Sequence, residues 1–269
     1  MSELRADWAV IGGSGLDQLP DAEIIARVVD PTPYGATSDD ILLLRLAGQT
    51  VAFLPRHGRG HRLGPHEINH RPHLRALPQL GVRHVFSVNA VGGLTPTLSS
   101  GKLAVPDQLI DYTWGREHTF NQRLEGMVQH IDFTYPYSSS LRRLLLKALV
   151  QLDVPHDDAG VYACTQGPRL ETAAEVRRLI RDGGTMVGMT AMPEAALARE
   201  LGMDYAALCL CVNRAAGLDT TPLSLPDIYG ILRSGMAIVR EVLLEALRTA
   251  GEHQRQNQQK AQELSKLLP

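Results

Sequence analysis

A series of short apolar runs, each stopped by glycine, proline or an amide, does most to limit what this chain can fold into. WAVI (8–11) runs into GGSG, RHVFSVNA (83–90) into a Gly-Gly pair, and VYACTQG (161–167) into proline. TMVGM (185–189) and YAALCLCVN (205–213) end in the same manner, and ILLLRL (41–46) and TVAFLP (50–55) flank an Ala-Gly-Gln hairpin turn. Apolar runs of this length between turn residues read as buried strands. Helical periodicity lies between them. SSSLRRLLLKALVQL (138–152) offers serines as an N-cap, and ETAAEVRRLIRDGG (171–184) has Gly-Gly as a stop. PEAALARELG (193–202) places Pro193 in a first helical turn. From about Pro226 to Leu268 the pattern is nearly all helix, with Gly235 and Gly251 placed to bend or divide it.

Strands alternating with helices predict an α/β fold: a single domain over 1–269 with a central mixed β-sheet flanked by helices. No low-complexity linker separates two halves. The polar Gln-rich segment from about 252 reads as a terminal helix or tail. A net charge of −2, without blocks of like charge, argues against nucleic acid or an anionic membrane as partner. MSELRADWAVIGG lacks a basic region followed by a long apolar segment, so no secretory leader is expected. No run approaches the ~18–20 apolar residues that span a bilayer. The three cysteines, Cys164, Cys209 and Cys211, lack CxxC spacing. They read as buried reduced thiols of a cytoplasmic protein, not as a disulfide framework or zinc site.

The loops after the strands carry the chemistry. In IGGSGL (11–16) glycines let backbone amides approach an anion, and Ser14 adds a hydroxyl. PRHGRGHRLGPHEINHRPH (55–73) is rich in Arg and His. Arg56 there can grip phosphate bidentately and His57 can donate to it. A metal site is the rival reading, but Glu67 is the only acidic residue in that loop, and no metal is expected. The amide of Ala90 in SVNAVGGL and Thr190 in GMTAMPE, just before a helix start, would add donors and a favourable dipole. Ligands of α/β sheets collect at strand ends, so such loops in one chain argue for one anion site. Asn213, at the end of an apolar strand, carries both donor and acceptor and can read a ligand edge.

IGGSGL, PRHGR, NAVGGL, TQGPRLET, VGMTAMPE and the strand-ending VN occur in the order seen in trimeric purine nucleoside phosphorylases and 5′-methylthioadenosine phosphorylases. The chain resembles that family over residues 8–245, and RHGRGHRLGPHEIN is most similar to the methylthio-nucleoside branch. The resemblance implies a nucleoside phosphorylase-like fold, a homotrimer with shared active sites, and no cofactor beyond inorganic phosphate as co-substrate. It places Ser14, Arg56, His57, Thr190 and the Ala90 amide on phosphate, Met189 against the ribose, and Leu170 against the purine face. Asn213 and His57 take the catalytic roles.

Adenosine-type members typically carry Asp where this chain has Asn213. Glu171 matches the glutamate that accepts N1–H of a 6-oxopurine, where the methylthioadenosine enzymes have a small hydroxyl residue. His130 matches a position contributed by the neighbouring subunit beside a 5′-methylthio group. Together these imply phosphorolysis of S-methyl-5′-thioinosine to hypoxanthine and 5-methylthioribose 1-phosphate. Inosine or guanosine phosphorolysis, methylthioadenosine phosphorolysis and a non-catalytic nucleoside sensor are the alternatives. A dinucleotide oxidoreductase would need GxGxxG, and a serine hydrolase GxSxG; neither is present. Without the resemblance, Glu171 also reads as a carboxylate stabilised by a helix N-terminus.

Overall fold

The computed structural model describes residues 5–19, 22–29, 32–120, 130–219 and 224–267. The chain begins with β1 (Trp8–Gly12), β2 (Glu23–Val28), β3 (Ile41–Leu46), β4 (Gln49–Pro55), α1 (His70–Gln79) and β5 (His84–Gly93). Next come β6 (Leu103–Ala104), β7 (Gln108–Asp111), α2 (Ser139–Gln151), β8 (His156–Asp157) and β9 (Val161–Cys164). The last part holds α3 (Ala173–Arg181), β10 (Met186–Gly188), α4 (Ala191–Glu200), β11 (Asp204–Arg214) and α5 (Leu225–Leu267).

These strands build an 11-stranded sheet in the order β2-β3-β4-β1-β5-β10-β9-β7, with β11 on the other edge of β5. β1, β4, β5 and β11 run parallel, β2-β3-β4 is an antiparallel meander, and β10 is antiparallel to β5. The sheet is therefore mixed, as the alternation predicts. Successive side chains of a strand point to opposite faces. Ala9, Ile11, Val85 and Ala207 accordingly join one core with Leu74 and Leu77 of α1 and Ala195 and Ala198 of α4. Val10, Phe86 and Leu208 join the other with Leu145 of α2 and Val239 and Val242 of α5. All three cysteines are free and buried.

Several elements differ from the sequence expectation. α1 begins at His70, inside a segment that composition marks as a basic loop, because His70 and His73 are themselves buried beside Leu74 and Leu77. α5 runs unbroken through both glycines and the Gln-rich segment to Leu267; Leu268 lies outside the described residues. At Gly235 a Cβ would stand 2.5 Å from Leu210, so this glycine seats the helix on β11 and does not break it. Ser138 is the N-cap of α2, yet its hydroxyl pairs with Ser140 and makes no capping bond. In α4, Met192 has extended backbone (φ −114, ψ 138), so regular turns start at Pro193, the first-turn position its φ favours. β2 and the short strands β6, β7 and β8 carry no distinctive run and were not legible.

The long strand β5 positions the site. On one edge it pairs with β1 as far as Ser87, and with β10 only at Gly92 and Gly93. The ends of β1 and β10 thus approach each other along that edge from opposite directions, and the edge has no strand partner at residues 88–91.

Candidate active site

A cavity of about 830 Å³ opens at this gap. Its floor is the loop Gly12–Gly15 beyond β1, the β5 segment at Ala90, and Met189 and Thr190 beyond β10. Arg56 and His57, at the end of β4, form one side. Leu170, Glu171 and Asn213 form another, and Leu225, Ile228 and Leu232 of α5 cover it. Every residue expected at the site lines this one cavity except His130. That residue is exposed, beside a segment outside the described residues, and does not reach the cavity of its own chain.

The floor follows from strand geometry. Val88 O accepts from Arg56 Nη1 at 2.8 Å, so Val88 turns its backbone polar groups toward the β1 edge. Ala90, two residues on, shares that edge, and its N–H faces the gap. Thr190 arrives from the opposite side, where its hydroxyl donates to Asn89 Oδ1 at 3.1 Å. At Gly13 a Cβ would sit 2.3 Å from Val88 O and 2.9 Å from Arg56 Nη1. Only glycine lets the loop lie this close to β5. The interrupted backbone at Met192 also means that Thr190 does not head a regular helical turn, which corrects the expected dipole contribution there.

Arg56 corrects a second expectation. Its guanidinium is fully buried, and its bidentate edge grips Glu194, with Nε to Oε2 at 2.7 Å and Nη2 to Oε1 at 2.8 Å. Nη2 also donates to Ser87 Oγ at 2.6 Å. A bidentate grip on phosphate is therefore excluded. One Nη1 N–H is left, beside Gly13.

His57 corrects a third. Its Nδ1 stands 2.9 Å from the Leu63 carbonyl, so the neutral ring donates there and presents Nε2 as an acceptor. Burial, reinforced by the charge of Arg56, pushes His57 down to about 3. The imidazole therefore offers the cavity an acceptor and not the donor expected of it. His61 stacks on it, with ring centroids 4.1 Å apart.

On the opposite wall, Glu171 Oε1 accepts from Thr165 Oγ1 at 2.7 Å. Glu171 stands just before the N-cap of α3, and its carboxylate bonds Thr165 while its neighbours cap the helix. Thr172 is the N-cap of α3, and Glu175 completes its capping box. Asn213 sits at a bulge in β11 and donates from Nδ2 to Arg214 O at 2.7 Å. This fixes the amide and leaves its second N–H and Oδ1 for a ligand. Leu170 is exposed at the cavity mouth. Met189 is braced by Arg116, whose Nη1 donates to Met189 O at 2.9 Å and whose Nη2 donates to Gln166 O at 2.9 Å.

Glu194, Thr165 and Arg116 were not singled out by sequence. For Glu194 a signal existed: one carboxylate in the otherwise apolar helix AMPEAALA demands a buried partner. Arg116 and Thr165 carried none. Among the described residues no group of His, Cys, Asp and Glu is arranged to hold a metal ion, and no helix is long and apolar enough to cross a membrane.

A probable S-methyl-5′-thioinosine phosphorylase from Pseudomonas syringae pv. tomato is 50% identical over 240 residues, 89% of this chain and 98% of that protein. A 6-oxopurine nucleoside phosphorylase from Pyrococcus furiosus is 39% identical, covering 89% of this chain and 91% of its own. Among solved structures, methylthioadenosine phosphorylase from Schistosoma mansoni in complex with adenine superposes with a TM-score of 0.87 at 29% identity, covering 92% of this chain and 93% of that one. The family model described as the phosphorylase superfamily matches residues 7–248, which spans every strand and loop that builds the cavity, and the chain belongs to that superfamily.

Proposed function

We propose that the protein catalyses phosphorolysis of a 6-oxopurine nucleoside, with S-methyl-5′-thioinosine as its substrate and hypoxanthine and 5-methylthioribose 1-phosphate as products. One observation carries the reading. The Glu171 carboxylate and the Asn213 amide face the same cavity as the Gly13–Ser14, Ala90 and Thr190 donors. Glu171 accepts N1–H of an oxopurine and repels the N1 lone pair of adenine. Asn213 donates to O6, and its Oδ1 accepts a hydrogen bond from N7–H once solvent has protonated the departing purine. Discrimination by buried polar groups left unpaired reaches about 10⁴-fold. The names of the relatives from P. syringae and P. furiosus point the same way.

In this mechanism phosphate is the nucleophile. The bond from C1′ to N9 breaks through an oxocarbenium-like state while a bond from C1′ to a phosphate oxygen forms. Ser14, Ala90 N–H and the remaining Arg56 N–H orient the anion; the Thr190 hydroxyl, which donates to Asn89 Oδ1 in the free site, turns its proton to phosphate on binding, and His57 Nε2 accepts from the phosphate hydroxyl. Holding both reactants in line supplies much of the acceleration. Asn213 stabilises charge growing on the departing purine. Met189 packs against the ribose and Leu170 against the base. Leu225 and Ile228 offer apolar surface to a 5′-methylthio group. His130 completes that end only from an adjacent subunit, so a cytoplasmic homotrimer belongs to the proposal. A general inosine or guanosine phosphorylase is the second reading, favoured by the P. furiosus relative.

Release of free purine is followed with phosphate and S-methyl-5′-thioinosine, methylthioadenosine, inosine and guanosine in turn. Fast hypoxanthine release from the first alone supports both halves of the reading. Fast adenine release overturns the roles of Glu171 and Asn213. Preference for inosine or guanosine removes the 5′-methylthio assignment and keeps the base assignment. Phosphate-independent binding without turnover identifies a sensor.

A further inference from the structure

The Arg56–Glu194 pair is fully buried, with no exposed side-chain surface on either residue. Glu194 is also saturated. Its Oε1 accepts from Arg56 Nη2, from Ser87 Oγ at 2.8 Å and from Tyr205 Oη at 2.8 Å, while Oε2 accepts from Arg56 Nε. His70 Nδ1 approaches Oε2 at 3.7 Å. Burial alone would raise the Glu194 carboxyl, but the Arg56 charge and hydrogen bonds outweigh it and hold the group well below the usual carboxylate range. A guanidinium has five N–H donors. Glu194, Ser87 and the Val88 carbonyl occupy all of them but one on Nη1, and that atom lies against Gly13.

We propose that Glu194 is a positioning residue of the phosphate site. Its carboxylate fixes the plane of the Arg56 fork, so that one N–H is aimed into the cradle, and it cancels the charge of the cation. Phosphate is then held by directed N–H and O–H dipoles instead of by a free positive charge, which favours orientation for attack over tight ground-state binding. Tyr205 and Ser87 hold the carboxylate in turn. The inference rests on the phosphorolysis reading above.

The test uses Glu194→Gln in the full-length protein. The amide keeps one acceptor but sets an NH₂ where Oε2 accepts from Arg56, and it leaves the cation uncompensated. The expected result is a fall in kcat of about 10- to 100-fold, with KM for the nucleoside within about twofold of wild type. Inorganic phosphate, titrated calorimetrically, binds equally well or more tightly. A kcat unchanged within about threefold overturns the proposal, as does phosphate binding that weakens in step with activity.

If circular dichroism shows that Glu194→Gln does not fold, Tyr205→Phe decides, since it removes one hydrogen bond from Oε1 and keeps the ion pair. A severalfold loss in kcat with unchanged phosphate affinity supports the role; unchanged kcat overturns it. If the wild type cleaves no purine nucleoside, the functional reading falls by itself. Phosphate titration of the wild type and Glu194→Gln still separates charge cancellation from a site that draws on the pair for affinity.

Discussion

The carboxylate of Glu171 is tied to Thr165 by a hydrogen bond of 2.7 Å, and Thr165 directly follows the last residue of β9. The carboxylate that reads the purine edge in the proposed function is thus anchored to the sheet and not left on a free loop. Thr165 N also donates to Gly188 O at 2.8 Å, which joins this anchor to the end of β10. Replacing Thr165 by Val keeps the shape and removes the hydroxyl. Loss of a hydrogen bond to a charged group costs roughly 1.5 kcal/mol, about tenfold. kcat/KM for the oxopurine nucleoside should fall by about that factor, with KM for phosphate unmoved. Equal rates for both proteins would show that Glu171 needs no anchor.

In the proposed function Asn213 sets the second half of base selection. In Asn213→Asp the donor to Arg214 O is lost, and a carboxylate faces that carbonyl across a contact of 2.7 Å in the parent. The O6 donor is lost with it. Oxopurine turnover should fall by about 100-fold, in line with removal of one donor in an active site. Turnover of the matching 6-aminopurine nucleoside should rise, and Glu171 should limit the gain. The ratio of the two rates is the quantity to measure; a ratio like that of the parent would remove Asn213 from base reading.

Gly13 carries a steric prediction. An added Cβ would meet the Val88 carbonyl at 2.3 Å, and backbone cannot yield as a flexible side chain does. Gly13→Ala should push the loop away from β5, and Ser14 with it. We expect kcat/KM for phosphate to fall by more than about 100-fold, while the folded protein still binds hypoxanthine in equilibrium dialysis. Retained phosphate kinetics would mean that the cradle lies elsewhere.

The strands that build the site were legible because each is a short apolar run closed by a turn residue, and the loops beyond them carried Ser14, Arg56, His57 and Thr190 in plain view. What those residues do with their atoms was not legible. Arg56 looked like a phosphate fork, but its fork faces Glu194, which is distant in sequence and adjacent only once α4 packs on the sheet. His57 looked like a donor until the fold brought the Leu63 carbonyl to its Nδ1. α1 was hidden for a related reason. Its apolar stripe includes His70 and His73, residues that sequence patterns count as polar and the fold buries. Local pattern located the groups, and tertiary neighbours assigned their chemistry.

The buried histidines make a prediction about pH. His73 Nε2 accepts from Ser38 N at 3.0 Å and pairs with Ser38 Oγ at 2.8 Å, so a proton on Nε2 would oppose the amide. Burial, with His70 beside it, pushes His73 down to about 3, and His57 is also pushed down to about 3. In the unfolded chain both return to about 6.5. Between those values the unfolded state binds more protons than the folded one, so stability rises with pH across this window and is lost as pH falls from about 6.5 toward 3. Each such histidine contributes about 1.4 kcal/mol per pH unit in the steep part of the window. Glu194, held below its ordinary value, pulls in the same direction at the acid end. Urea unfolding followed from pH 7 to 4.5 should give a steep decline in the wild type. In His73→Leu the decline should be shallower by about one proton, although this variant starts less stable because Ser38 loses its acceptor. Parallel slopes would show that His73 is protonated in the folded protein.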